Sequence, residues 1–155
     1  AGWVEDPLQL EGEDTNIKGL GLLPLQTILE VGKVVRQRQV VSHYPIEGLP
    51  VEGYEMHQGR TQLLDLQSQA AYRSLFEDES LGLVSDSGTI WGCYLHGIFD
   101  NGPWRRGWLN HLRQRRGLPS LPTGVPSYRE QRDGMLEALA DLVETHLDLA
   151  PVLEC

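Results

Sequence analysis

Trp91-Gly92-Cys93-Tyr94-Leu95-His96-Gly97-Ile98-Phe99-Asp100-Asn101-Gly102-Pro103-Trp104 is the stretch on which the reading of the fold turns. It opens with β-forming apolar residues, closes that run on a histidine and a glycine, and meets a proline shortly afterwards. Proline suits the first turn of a helix, where the missing N–H has no intrahelical partner to lose. A helix is therefore predicted from Pro103. Trp104, Trp108, Leu109 and Leu112 recur at i, i+4, i+5 and i+8 and give it one apolar face, and Gly117 and Pro119 end it. Upstream, residues 81–84 and 89–94 flank Ser85-Asp86-Ser87-Gly88, the clearest hairpin signal in the chain. Strands that feed a loop and then a helix predict an α/β fold.

Working outward, residues 62–80 are ambiguous between a short helix and a strand at 72–76. Residues 50–57 read as a strand that delivers its last residues to a loop at Gln58-Gly59-Arg60-Thr61. Residues 31–41 carry Val34-Val35 and Val40-Val41 around a wet stretch, Arg36-Gln37-Arg38, and read as strand. Gly19-Leu20-Gly21-Leu22-Leu23-Pro24-Leu25 reads as a short, nearly all-apolar strand covered on both faces, and residues 1–18 as acidic and irregular. At the other end Ser127 is placed to cap a second helix. Met135, Leu136, Leu139, Leu142, Val143 and Leu147 form its stripe, and Pro151 stops it. Nothing repeats at a fixed period, and residues 1–155 read as part of one domain.

The balance of 13 Lys+Arg against 22 Asp+Glu gives a formal net charge of −9, so no global positive field draws in phosphate backbones or anionic membranes. The one basic run, Arg105, Arg106, Arg113, Arg115 and Arg116, falls at helical spacing on the predicted solvated face. Neither a nucleic acid nor a membrane is expected as a partner. Two distant cysteines, Cys93 and Cys155, build no disulfide framework and no paired-cysteine metal knuckle, which favours a reducing, cytoplasmic setting.

Two histidines stand at predicted strand ends. His96, followed by Gly97, is a candidate general acid or base, because imidazole takes and returns a proton near neutral pH. Position alone leaves open the commoner alternative, a packed and hydrogen-bonded histidine. His57, with Arg60 three residues on, has the same placement and the same alternative. A Cys93–His96 dyad is disfavoured, since residues three apart on a strand face opposite ways. Cys93 also lacks the strand-to-helix elbow that exposes a nucleophile, and reads as a small packed residue. A zinc site from His57, Cys93 and His96 needs the same sharp bend and a further ligand, so no metal is expected.

Three segments together resemble a known family. Residues 19–27, the run Gly53-Tyr54-Glu55-Met56-His57-Gln58-Gly59-Arg60-Thr61, and residues 91–101 are similar, in order and spacing, to the C-terminal amidotransferase domain of the cobyric acid synthase family. The resemblance implies a flavodoxin-like class I glutamine amidotransferase fold, present as its C-terminal portion. It implies that a cysteine attacks the glutamine amide and that His96, by motif matching, is the catalytic histidine. His57, Gly59 and Arg60 match a second family segment, which implies a supporting, substrate-binding role. Many relatives place a glutamate two residues after the catalytic histidine, whereas this chain has Ile98 there. The family's nucleophile lies in a Gly-flanked elbow before the segment matching residues 2–7. Its ATP- and Mg2+-using synthetase domain, where the corrinoid binds, precedes that elbow. The chain alone is therefore expected to be inactive, with glutamine as substrate and no cofactor of its own. Two alternatives are an amidotransferase acting on peptidoglycan precursors and a non-catalytic docking module that kept the fold.

Overall fold

The computed structural model describes residues 1–64 and 71–147, in two compact units, Ala1–Ile98 and Phe99–Cys155. The first holds β1 (Trp3–Glu5), β2 (Asn16–Lys18), β3 (Leu25–Ser42), β4 (Leu49–Leu63), β5 (Tyr72–Ser74), β6 (Gly82–Ser85), β7 (Trp91–Cys93) and β8 (Leu95–His96). They form a five-stranded sheet, β2-β1-β3-β4-β8, and a three-stranded sheet, β5-β6-β7. The larger sheet is mixed: β1 runs parallel to β3, and its other pairs are antiparallel. With α1 (Gly102–Arg115) and α2 (Tyr128–His146) in the second unit, the described residues make the α/β fold that was expected.

The long β3–β4 ladder organises the first unit. Val40 pairs with Val51, and both are buried. The predicted loop at 58–61 does not form. β4 runs on to Leu63, and the ladder absorbs a register shift in which Ile28 pairs with Arg60 and Lys33 with Gln58. Gly59 sits opposite the extra residues of β3 with φ 108°, where a Cβ would stand 2.3 Å from the Ile28 carbonyl oxygen. Only glycine fits there, so the Gly that looked like a strand stop is the residue that lets the strand continue.

The apolar run at 19–25 is also corrected. Only Leu25 belongs to a strand, Leu20 is 89% exposed, and Leu23 alone of the run is buried. Gly21, at φ 67°, and Pro24 break the ladder before it starts. The acidic front is ordered where irregular chain was expected: the buried Asp6 carboxylate accepts from the N–H groups of Leu10 and Glu11 at 2.9 and 2.8 Å, returning the chain so that β2 pairs with β1. The hairpin at 82–93 forms as read, and of the ambiguous stretch residues 72–74 are strand while 65–70 lie outside the described residues. Leu75, Phe76, Leu81 and Val84 are fully buried, and Ser42 bridges to Phe76, which joins the end of β3 to the smaller sheet.

In the second unit α1 starts at Gly102 as Pro103 predicted, but its buried side is Gly102, Trp104, Gly107 and Asn110. Leu109 and Leu112 are exposed. The reason is polar: Asn110 brackets Leu121 with two hydrogen bonds, to its carbonyl at 2.7 Å and from its N–H at 2.8 Å, and draws the loop after α1 along that side. Arg106 and Arg113 donate to the carbonyls of Pro122 and Pro119 in the same loop, so part of the basic run serves as loop ties. Ser127 caps α2 through a reciprocal box with Glu130, as its position suggested. The α2 stripe is exposed at Met135, Leu136, Leu139, Leu142 and Leu147; Pro151 lies outside the described residues.

Candidate active site

Because side chains alternate faces along a strand, the β4–β8 pairing decides where His96 points. Tyr54 pairs with His96 and Glu55 with Leu95. β8 can lie this close because residue 53 is glycine: a Cβ there would stand 2.4 Å from the His96 carbonyl oxygen and 2.8 Å from Leu95 Cγ. Leu95 is buried on the inner face with Glu55, which turns His96 to the outer face beside Tyr54. Gly97, at φ 78°, then takes the chain off the sheet. His96 is exposed, and an exposed imidazole at a strand end can exchange a proton with a molecule seated over it.

The inner face carries a charge cluster that sequence reading missed. Glu55, only 4% exposed, accepts from Arg36 Nε at 2.8 Å and Arg38 Nη1 at 3.0 Å, and its other oxygen lies 3.0 Å from His57 Nε2. Arg38 also pairs with Asp78. Burial pushes the Glu55 carboxyl up, but the hydrogen bonds from Arg36 and His57 and the two guanidinium charges together hold it below the ordinary range. Asp78 is lowered too, first by the Ser80 hydroxyl and then, against burial, by Arg38. His57 Nδ1 lies 2.9 Å from the Gly59 carbonyl, and its ring stacks on Tyr94 at 4.2 Å. A carbonyl can only accept, so Nδ1 is the donor. The signal was present in spacing: Arg36 and Arg38, like Glu55 and His57, are two apart and therefore share a face.

His57 is thus a mid-strand residue rather than a strand end, and it stands on the face opposite His96. Arg60 is 73% exposed at its side chain and meets Glu30 at 3.8 Å. It lies six residues along β4 from Tyr54, roughly 20 Å at the rise of an antiparallel strand. The structure does not bring His57 or Arg60 to His96, and Gly59 serves the backbone shift and accepts from His57. Cys93 is in the smaller sheet, paired with Gly82, while His96 is in the larger. Its thiol, half-buried, donates to the Leu95 carbonyl at 3.5 Å, and burial raises its pKa, the reverse of an activated nucleophile. A cavity of about 710 Å³ is lined by Thr27, Thr61, Cys93 and Tyr94 among others, and His96 is not in its wall. Among the described residues no group of three or more His, Cys, Asp or Glu is placed to hold a metal ion.

The α/β fold is consistent with a class I glutamine amidotransferase domain, and the CobB/CobQ-like glutamine amidotransferase domain family matches residues 2–104. The chain belongs to that family. It is 61% identical over 152 residues to the cobyric acid synthase of Rippkaea orientalis and 56% identical over 153 residues to that of Crocosphaera subtropica, covering 96% and 97% of this chain. The cobyric acid synthase of Nostoc punctiforme is 55% identical over 154 residues. The chain spans 31% of the length of each of these relatives.

Proposed function

We propose that this chain supplies the histidine side of a glutamine-hydrolysing site in an enzyme that amidates corrinoid side-chain carboxylates. The observation that carries the reading is His96: exposed, at the end of β8, on the face away from the buried ion cluster. A thiolate attacks the glutamine amide carbon, and His96 gives a proton to the departing amine nitrogen as the C–N bond breaks. The imidazole then takes a proton from the water that opens the thioester, and glutamate and the thiol are restored. Cys93, with its raised pKa, does not fit the nucleophile's part, which falls to a cysteine outside these 155 residues. The likeness to cobyric acid synthases over 96% of the chain supports the corrinoid substrate over a peptidoglycan precursor, and the accessible histidine supports catalysis over docking alone.

On this reading the ammonia passes to a synthetase domain that uses ATP and Mg2+, and residues 1–155 act as one part of the amidotransferase domain. His57 and Gly59 then act by holding β4. On this reading the enzyme works in the cytoplasm, which the two distant cysteines, with no disulfide framework between them, favour. The test is the full-length His96→Ala variant. Glutamine-dependent turnover should fall by 10²–10⁴-fold, the usual worth of a positioned acid–base group, while turnover with free ammonia persists. Retained glutamine-dependent turnover would overturn the assignment.

A further inference from the structure

Among the described residues α2 (Tyr128–His146) is a helix of 19 residues with none buried. Met135, Leu136, Leu139, Leu142 and the capping Leu147 are each more than half exposed, and at helical spacing they fall on one side. Glu130, Asp133, Glu137, Asp141 and Glu144 fall together on the other, so the apolar stripe carries no carboxylate. A lone helix of this length is marginal in water, because most helical stability comes from packing an amphipathic face. The stripe therefore calls for an occupant.

The extent of the family likeness says where that occupant lies. The amidotransferase domain match ends at residue 104, before α2, whereas the likeness to the cobyric acid synthases covers 96% and 97% of this chain and cannot omit so long a helix. α2 is thus a feature these longer proteins share beyond the matched domain. This chain spans 31% of their length, so most of each relative lies outside residues 1–155. A second copy of α2 suits the stripe poorly. A helix of 19 residues is about 28 Å long and about 10 Å wide, so a pair covers roughly 600 Å² in total, well under the about 1,200 Å² of a stable complex. A surface on the same polypeptide needs less area, since the connecting chain holds it at high effective concentration. The five carboxylates of the polar face disfavour an anionic membrane.

We propose that the apolar stripe of α2 docks on an aliphatic surface of the full-length protein outside residues 1–155, and so anchors the amidotransferase part to the rest of the enzyme. The proposal stands apart from the role of His96.

The test uses the full-length protein with a photo-crosslinking residue at three positions: Leu139→p-benzoylphenylalanine and Leu142→p-benzoylphenylalanine in the stripe, and Glu137→p-benzoylphenylalanine on the acidic face. Adducts are mapped by peptide mass spectrometry, and hydrogen exchange of α2 is followed in the parent and in a Leu139→Asp, Leu142→Asp double variant. The two stripe positions should link, within one polypeptide, to residues outside 1–155, and Glu137→p-benzoylphenylalanine should not. The α2 amides should exchange at least about 10-fold faster in the double variant than in the parent, while those of β3 and β4 keep the parental rate. Stripe adducts confined to residues 1–155, adducts to a second molecule, or no adduct from either stripe position would overturn the proposal. So would parental protection of α2 in a folded double variant. Should that variant fail to fold, the cross-links, which need no charged substitution in the stripe, decide alone.

Discussion

Replacing Glu55 by Gln removes one charge and little volume, and so isolates what the buried carboxylate contributes. In the parent it receives Arg36 at 2.8 Å, Arg38 at 3.0 Å and His57 at 3.0 Å. Arg36, 57% exposed at its side chain, returns to water and adds little. Arg38 keeps Asp78, and His57 keeps Gly59. What is lost is one or two charge-assisted bonds inside the sheet, together about 3 kcal/mol, which is roughly 6–12 °C in the thermal midpoint for a chain of this size. The pH dependence has a definite sign. The Glu55 and Asp78 carboxyls are lowered in the folded state, so the unfolded chain binds more protons in the acid range. Their contribution is present above the ordinary carboxylate range, about pH 4 to 4.5, and is lost as pH falls through the folded values. Thermal melts of parent and Glu55→Gln at pH 7, 5, 4 and 3 should therefore show a gap that is full at pH 7 and narrows with acidification. A variant that melts with the parent at pH 7, or a gap constant down to pH 3, would refute the reasoning.

Gly53→Ala should abolish glutamine-dependent turnover while sparing ammonia-dependent synthesis, since the new Cβ stands 2.4 Å from the His96 carbonyl oxygen and must push β8 aside. Gly59→Ala, at φ 108° with a backbone oxygen 2.3 Å away, should destabilise the chain by about 2–4 kcal/mol in urea unfolding. Ser127→Ala should cost about 1 kcal/mol through the lost capping box, read as reduced helical signal at fixed urea. Cys93→Ser in the full-length protein should leave glutaminase kcat within about 3-fold, because burial of the thiol raises its pKa and disfavours the thiolate that a nucleophile needs.

The parts of this fold legible in the sequence were those fixed by local chemistry. The 85–88 turn, Pro103 at the start of α1, the Ser127 box and the His96-Gly97 strand end each depend on a few adjacent residues, and each stands as read. What was not legible depends on pairing at a distance. Gly59 reads as a strand stop until Ile28 is seen beneath it, and Leu20 and Leu22 read as core until Gly21 and Pro24 are seen to keep them out of the ladder. The same holds for the site. His96 stands at a strand end as its position suggests, whereas the Glu55 cluster exists only once β3 and β4 are in register. Leu109 and Leu112 were placed in the core by periodicity, and the Asn110 bonds to Leu121 overrode it.

The claim at the centre of this account is that His96 works with a cysteine from outside these residues. The most direct measurement treats the full-length protein with a glutamine-analogue electrophile and maps the adduct by peptide mass spectrometry, in the parent and in His96→Ala. The account predicts a stoichiometric adduct on a Gly-flanked cysteine outside residues 1–155, none on Cys93, and slower labelling in the variant. A stoichiometric adduct on Cys93, or labelling of the outside cysteine at the parental rate without His96, would contradict it.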